Sequence, residues 1–421
     1  MSQPATANAP LRAITARWLV PLDRPPLAHG VLWVRGGRIV GIEPRRALQP
    51  VEDLGEVAIV PGLINAHTHL ELSPHAQPIG PPGISFSQWL TQVIAWRRQW
   101  LDASDPHAMA ARRQAALQAG LAELTAGGTV AVGEIAYPGF PEEVYQACPL
   151  AGRLFLELLG VEAAQVPQQM ALARRHLARW TARGGSLRGG LSPHAPYSVH
   201  PELLQQAVAL AAEADVPVAM HLAESPEEIE LLASGRGPLA EVLQMRGVCP
   251  GEYLPAAVRP LDYLKTLSRA PQALVIHGNY LGPPEIAFLA DHRQRMTVVY
   301  CPRTHAHFGH APYPLASLLA AGVRVAVGTD SRATNPDLNL WRELVHIAQH
   351  HPAVPPETIL AMGTRLGAEA LGLADELGSL APGKRAVWTA IPLARGVPDL
   401  WEALFDGGLP QRPLPPDTAT N

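Results

Sequence analysis

At 421 residues the chain is long for one ordinary domain and normal for an α/β barrel that carries an appendage. Apolar residues make up 47%, ample for a large core, and no apolar run approaches the roughly 18 residues of a membrane span. A net charge of −4 without any basic block argues against nucleic acid as a partner. Cys148, Cys249 and Cys301 are odd in number and widely spaced, and read as free thiols in a reducing cytosol. The opening segment, MSQPATANAP, lacks a basic n-region and an apolar h-region, so a cytoplasmic protein without a secretory signal is expected.

Residues 11–58 alternate apolar and polar positions around turn signals, with Gly36-Gly37 between two such runs as a hairpin signal. A matching piece begins near Gly378, where turn chemistry precedes a β-prone run. The two ends are expected to share one small flanking β-sandwich, built from residues 1–58 and 376–408. A Pro-rich polar tail, 409–421, is expected to be disordered.

Between these ends, at 59–375, strand-like runs alternate with helical ones. The first runs from Val57 past the Pro61-Gly62 break to His67 and His69. Others follow at 128–135, 153–159, 187–194, 216–221, 273–277, 296–301 and 324–330. Helices are expected at 87–101, 106–125, 166–182, 201–214, 283–291, 314–321, 338–350 and 356–366, with a mostly helical insertion over roughly 225–270. The count fits a (β/α)₈ TIM-type barrel, an α/β fold.

The polar residues fall where such a barrel keeps its chemistry, at the C-terminal strand ends. His67 and His69 are two apart, so in a strand they project to one face. Glu134 lies near the second strand's end, His194 after the fourth, His221 at the fifth, His277 at the sixth and Asp330 at the eighth. One buried histidine is usually a satisfied core residue; a set converging on one mouth is better explained by a metal.

The chain resembles the amidohydrolase superfamily, in its mononuclear metal-dependent deaminase branch with cytosine, adenosine and S-adenosylhomocysteine deaminases. The motifs are Pro61-Gly-Leu-Ile-Asn-Ala-His67-Thr-His69, Ser192-Pro-His194-Ala-Pro-Tyr, His221-Leu-Ala-Glu224, Val275-Ile-His277-Gly and Gly328-Thr-Asp330-Ser, in order between about residues 11 and 392. Each is loose alone; the ordered set of five is specific.

The resemblance implies that His67, His69, His221 and Asp330 hold the metal. It implies that Glu224, His277 and Asp330 do the acid/base work, and that His194 meets the substrate. Three imidazoles and a carboxylate suit Zn²⁺, with Fe²⁺ as the alternative, and leave a position for water. Binuclear relatives usually carry a bridging lysine at the end of the fourth strand. Here that strand ends in Ser192-Pro-His194, and the chain's two lysines, Lys265 and Lys384, are far off. One divalent ion is expected.

Further substrate contacts are expected at Arg303, Glu71, Ser331 and Asn335. Arg303 belongs to a segment read as a loop over the mouth, which also holds His305, His307 and His310. Glu71 and Glu134 could instead pair with arginines. Trp89, Trp96 and Trp100, at spacings of seven and four, are expected in the core or on a homo-oligomer face and not against a ligand.

The function expected is a hydrolytic deaminase of a purine nucleoside or related aromatic amine, in which metal-activated water attacks the amine-bearing ring carbon and ammonia leaves. The segments after the first and seventh strands resemble those of aminodeoxyfutalosine deaminases. The alternatives are a guanine or cytosine deaminase, a triazine-type chlorohydrolase, or a catalytically dead barrel acting as a binding protein.

Overall fold

The computed structural model describes residues 9–46, 50–100, 104–181, 185–255, 257–406 and 408–410. Its main sheet has eight strands in chain order: β1 Leu63–Thr68, β2 Thr129–Ala136, β3 Ala151–Leu158, β4 Leu187–Pro193, β5 Val218–Leu222, β6 Ala273–His277, β7 Met296–Tyr300 and β8 Arg324–Val327. They run parallel in a nearly closed barrel with helices outside, the expected TIM-type architecture. β1, β2, β5, β6 and β7 are buried at every residue, because helices cover one face and side chains fill the other. That two-sided burial is why the strands read as continuous apolar runs.

Closure occurs where β8 meets β1. Thr68 and Asp330 form a parallel bridge, and the Asp330 amide donates to the His67 carbonyl at 3.1 Å. Gly328 makes the approach possible, since a Cβ there would lie 2.8 Å from both Cβ and O of His67.

Many of the chain's 43 prolines open helices. Eight described helices start at a proline: Pro106, Pro201, Pro226, Pro238, Pro260, Pro283, Pro302 and Pro356. Its fixed φ suits that position and its missing N–H is not needed there. Side-chain caps add to this: the Ser225 hydroxyl accepts from the Glu228 amide, and the Asn339 side chain from that of Arg342. The helix expected over 356–366 is two, Pro356–Met362 and Arg365–Ala370. Thr364 between them, at φ −139° and ψ −90°, is outside helical space.

Contacts divide the chain into two compact units. One comprises residues 1–65, 124–131 and 339–421, and the other residues 66–123 and 132–338. In the first, strand Val57–Pro61 pairs antiparallel with Trp388–Pro392, so the chain's two ends share a sheet. A second sheet holds the hairpin Gly30–Arg35/Arg38–Pro44. Gly36 and Gly37 turn it at φ +55° and +70°, the left-handed pair a tight two-residue hairpin requires. Ile14, Leu19, Leu32, Ile59 and Trp388 belong to one apolar cluster there. The tail expected to be disordered lies, from residue 411, outside the described residues.

Candidate active site

The strand ends bring five groups together within the second unit. His67 Nε2 lies 3.6 Å and His69 Nε2 3.9 Å from Asp330 Oδ1, while the Nε2 atoms of His69 and His221 are 3.2 Å apart. His277 joins them, its ring centre 5.4 Å from that of His221. Two overlapping sets of ligating atoms, His67/His69/Asp330 and His67/His221/His277, each fall within 4.8 Å. All are buried.

Such a set fits a metal. Ligands about 2.0–2.1 Å from a tetrahedral ion sit about 3.3 Å from one another, and these pairs span 3.2–3.9 Å. Burial, followed by neighbouring imidazoles, holds His69 and His221 well below the ordinary histidine pKa, in the neutral form that ligates. His221 Nδ1 lies 3.0 Å from the His194 carbonyl, which can only accept. Nδ1 therefore carries the proton and Nε2 keeps its lone pair for the cluster. Thr334 Oγ1 donates to Asp330 Oδ2 at 2.9 Å and leaves Oδ1 facing the imidazoles. Cys148, Cys249 and Cys301 are free thiols, as expected, and none joins these sets.

Backbone conformation aims these groups. His277 at φ +67° and Asp330 at φ +55° are left-handed non-glycine residues, a strained state that clusters at functional sites. Tyr313 fixes His277 by donating to its carbonyl at 2.8 Å. Gly328→Ala should disturb the same corner, because a methyl group would push directly against His67. We expect a loss of about 1–3 kcal/mol in stability together with weaker metal binding, read by thermal melting with and without zinc. An unchanged melting temperature would mean that the β1/β8 closure is slack.

Glu224 stands beside this cluster, its Oε1 3.3 Å from His277 Nε2. The Glu228 carboxylate accepts from the amides of Ala223 and Glu224 at 2.9 and 3.0 Å, and Asn279 Nδ2 donates to the Glu224 carbonyl at 2.8 Å. Burial, then the charges of Asp330, Glu228 and Glu227, raise the Glu224 carboxyl well above its ordinary pKa. It is a buried carboxyl and not a solvated helix-start carboxylate.

A cavity opens over the cluster. Its floor includes His69, His221, His277, Asp330, Glu224 and Ser331, and His194 lies on its side. Phe86, Trp89, Val93 and Ile94, from the helix Phe86–Trp100, form an apolar wall. Trp89 is therefore a cavity residue, contrary to the expectation for that stripe, with its indole N–H bonded to the Ala333 carbonyl at 3.1 Å. Trp96 and Trp100 stack on each other, ring centres 5.0 Å apart, and do not line it.

Other expected contacts lie elsewhere. Arg303 is not on the loop expected over the mouth, because Pro302–Phe308 is a helix. Its guanidinium donates to Asp337 at 3.0 Å and to the Asn335 side-chain oxygen, and neither Arg303 nor Asn335 lines the cavity. Asn335 also donates to the Thr329 carbonyl at 2.9 Å, bracing the turn around Asp330. Glu71 is paired with Arg97, and Glu134 accepts from the Leu70 amide and from Tyr145, tying down the chain just after His69. His305, His307 and His310 bond to the Ala311 carbonyl, the Ile79 carbonyl and Tyr280 respectively, and form no metal-ligating group among the described residues.

Glu157, Arg97, Ser198 and Arg246 line the cavity too, although the sequence reading singled out none of them. Glu157 had a signal, being the one charged residue near the end of the apolar third strand. Arg97 had none that separates it from any surface arginine of an amphipathic helix.

The chain belongs to the amidohydrolase family, whose model matches residues 58–410. It is a hydrolytic enzyme acting on carbon–nitrogen bonds. Among its relatives, the aminodeoxyfutalosine deaminase of Deinococcus radiodurans is 32% identical over 76% of this chain and 75% of its own length. The 5-methylthioadenosine/S-adenosylhomocysteine deaminase of Nitratidesulfovibrio vulgaris is 30% identical over 88% of this chain and 81% of its own. A crystal structure of an adenosine deaminase from Xanthomonas campestris with bound zinc shares the fold, with a TM-score of 0.75, 24% identity, and coverage of 94% of this chain and 88% of that one. No helix among the described residues is long and apolar enough to cross a membrane.

Proposed function

We propose that the chain is a metal-dependent deaminase that removes the amine from a purine nucleoside or a related aromatic amine. The observation that carries this reading is the meeting, in one cavity, of a buried imidazole–carboxylate cluster and Glu224, a carboxyl that burial pushes toward its protonated form. A cluster alone serves many hydrolyses; a carboxyl poised to protonate a ring nitrogen suits loss of an aromatic amine.

In this reading His67, His69, His221 and Asp330 hold one divalent ion, zinc ahead of iron. Support comes from the imidazole-rich donor set and from the zinc-bound structural neighbour. When bound, such an ion supplies Lewis acidity and lowers the pKa of water from 15.7 to about 7 in favourable sites. The chain's residues do the rest. Asp330 and His277 take the water's proton and orient its lone pair at the amine-bearing carbon. Glu224 gives its proton to the adjacent ring nitrogen as the carbon–oxygen bond forms. The proton taken from the water then passes to the amine, which leaves as ammonia when the carbon–nitrogen bond breaks, and the new hydroxyl returns a proton to Glu224. We assign His277 to this work and not to the metal because its Nε2 faces Glu224 at 3.3 Å. The apolar wall beneath Phe86 and Trp89 offers an aromatic ring its stacking surface, with Ser331 and His194 beside it. We further propose that residues 59–375 form the barrel domain and that residues 1–58 and 376–408 form the flanking sandwich.

The test is ammonia release by zinc-loaded protein from adenosine, 5′-methylthioadenosine, guanine, cytosine and a chlorinated aminotriazine. A preference for the adenine nucleosides is expected. Preference for guanine or cytosine, or chloride release in place of ammonia, would reject the purine-nucleoside reading.

A further inference from the structure

Beside His194, the cavity lining holds an excess of hydrogen-bond acceptors. Glu157 is 1% exposed and lines the cavity, yet neither of its carboxylate oxygens has a hydrogen-bond partner. Its nearest polar neighbours stand off: His194 Nε2 is 3.8 Å from Oε1, and Arg97 Nη1 is 3.9 Å from Oε2. The guanidinium of Arg97 is already engaged by Glu71.

His194 cannot fill the gap. Its Nδ1 lies 2.7 Å from Ser198 Oγ, and that hydroxyl donates its own proton to the Ala195 carbonyl at 3.2 Å. Ser198 must therefore accept from Nδ1–H, which leaves Nε2 with a lone pair turned toward Glu157. Three acceptor atoms thus face one pocket, and the nearest donor, the Arg97 guanidinium, stands beyond hydrogen-bond distance. Leaving a buried carboxylate unsatisfied is expensive, and a ligand that brings O–H donors into the pocket would satisfy it.

We infer that Glu157, with His194 Nε2, is the subsite that receives a vicinal diol of the substrate, the paired hydroxyls of a sugar. A carboxylate presents two oxygens side by side and accepts two adjacent O–H groups at once. A cationic amine fits less well, because the Arg97 guanidinium already lies beside Glu157. The position is consistent with a nucleoside whose base sits over the cluster. His221 and His194 are in ring contact at 4.8 Å, and Glu157 Oε1 lies 3.8 Å from His194 Nε2. This inference rests on the nucleoside reading and extends it by naming a positioning residue for the sugar.

The experiment compares 5′-methylthioadenosine with its 2′,3′-dideoxy counterpart, using zinc-loaded wild type and Glu157→Gln, which keeps the shape but turns an N–H₂ toward the diol. In wild type, removing the diol should lower kcat/KM by about 10- to 100-fold, chiefly through KM, as expected for charge-assisted bonds remote from the reacting carbon. In Glu157→Gln that penalty should shrink below about threefold, the mark of a direct coupling. Should the variant turn over neither compound, Glu157→Asp, which keeps the charge on a shorter arm, is measured in its place and should narrow the penalty too. The same penalty in wild type and variant, or none in wild type, would overturn the subsite while leaving a nucleoside deaminase intact. A wild type that deaminates only non-nucleoside amines would overturn both readings.

Discussion

Glu224→Gln is expected to lower kcat by about 10²–10⁴ while metal content stays at the wild-type level. The amide matches the carboxyl in shape but cannot give and take a proton. The surrounding structure should not move, because the Glu228 carboxylate and Asn279 hold the backbone of residues 223 and 224 independently of that side chain. Steady-state kinetics alongside elemental analysis checks both parts. Loss of metal from the variant would make Glu224 a ligand and leave the proton route without its carrier.

Asp330→Asn should have the other large effect, on metal binding itself. The substitution removes the cluster's one anion while the Thr334 contact to the second oxygen can remain. Thr334→Val gives the graded comparison, since it removes only the hydroxyl that turns Asp330 toward the imidazoles. Outer-shell changes of that kind typically cost about 10–100-fold in metal affinity. Loss of the carboxylate should exceed that range. Zinc competition with a chelator would order the three proteins as wild type, Thr334→Val, Asp330→Asn. Equal affinities would show that Asp330 is not a ligand.

Much of this was legible in the sequence, for physical reasons. Parallel barrel strands are buried on both faces, so each appears as an apolar run whose polar terminus stands out. That is why the strand pattern alone brings His67, His69, His221, His277 and Asp330 to one mouth. Glu224 was readable from its spacing after His221. What escaped depended on long-range pairing. Arg303 meets Asp337 across 34 residues, and Glu71 meets Arg97 across 26, and no local pattern announces either contact. The Pro302–Phe308 helix was misread as loop because it is only seven residues long and rich in histidine, although its opening proline suits a helix start. Trp89 shares one helix with Trp96 and Trp100, and nothing in its local spacing marks it as the one that lines the cavity.

The central claim is that one metal ion, held by this cluster, enables loss of ammonia from an adenine nucleoside. It is tested most directly by titrating chelator-stripped protein with zinc while following ammonia release from 5′-methylthioadenosine. The account predicts that the rate rises linearly and breaks at one zinc per chain. A break at two, or a rate indifferent to zinc and to iron alike, would contradict it.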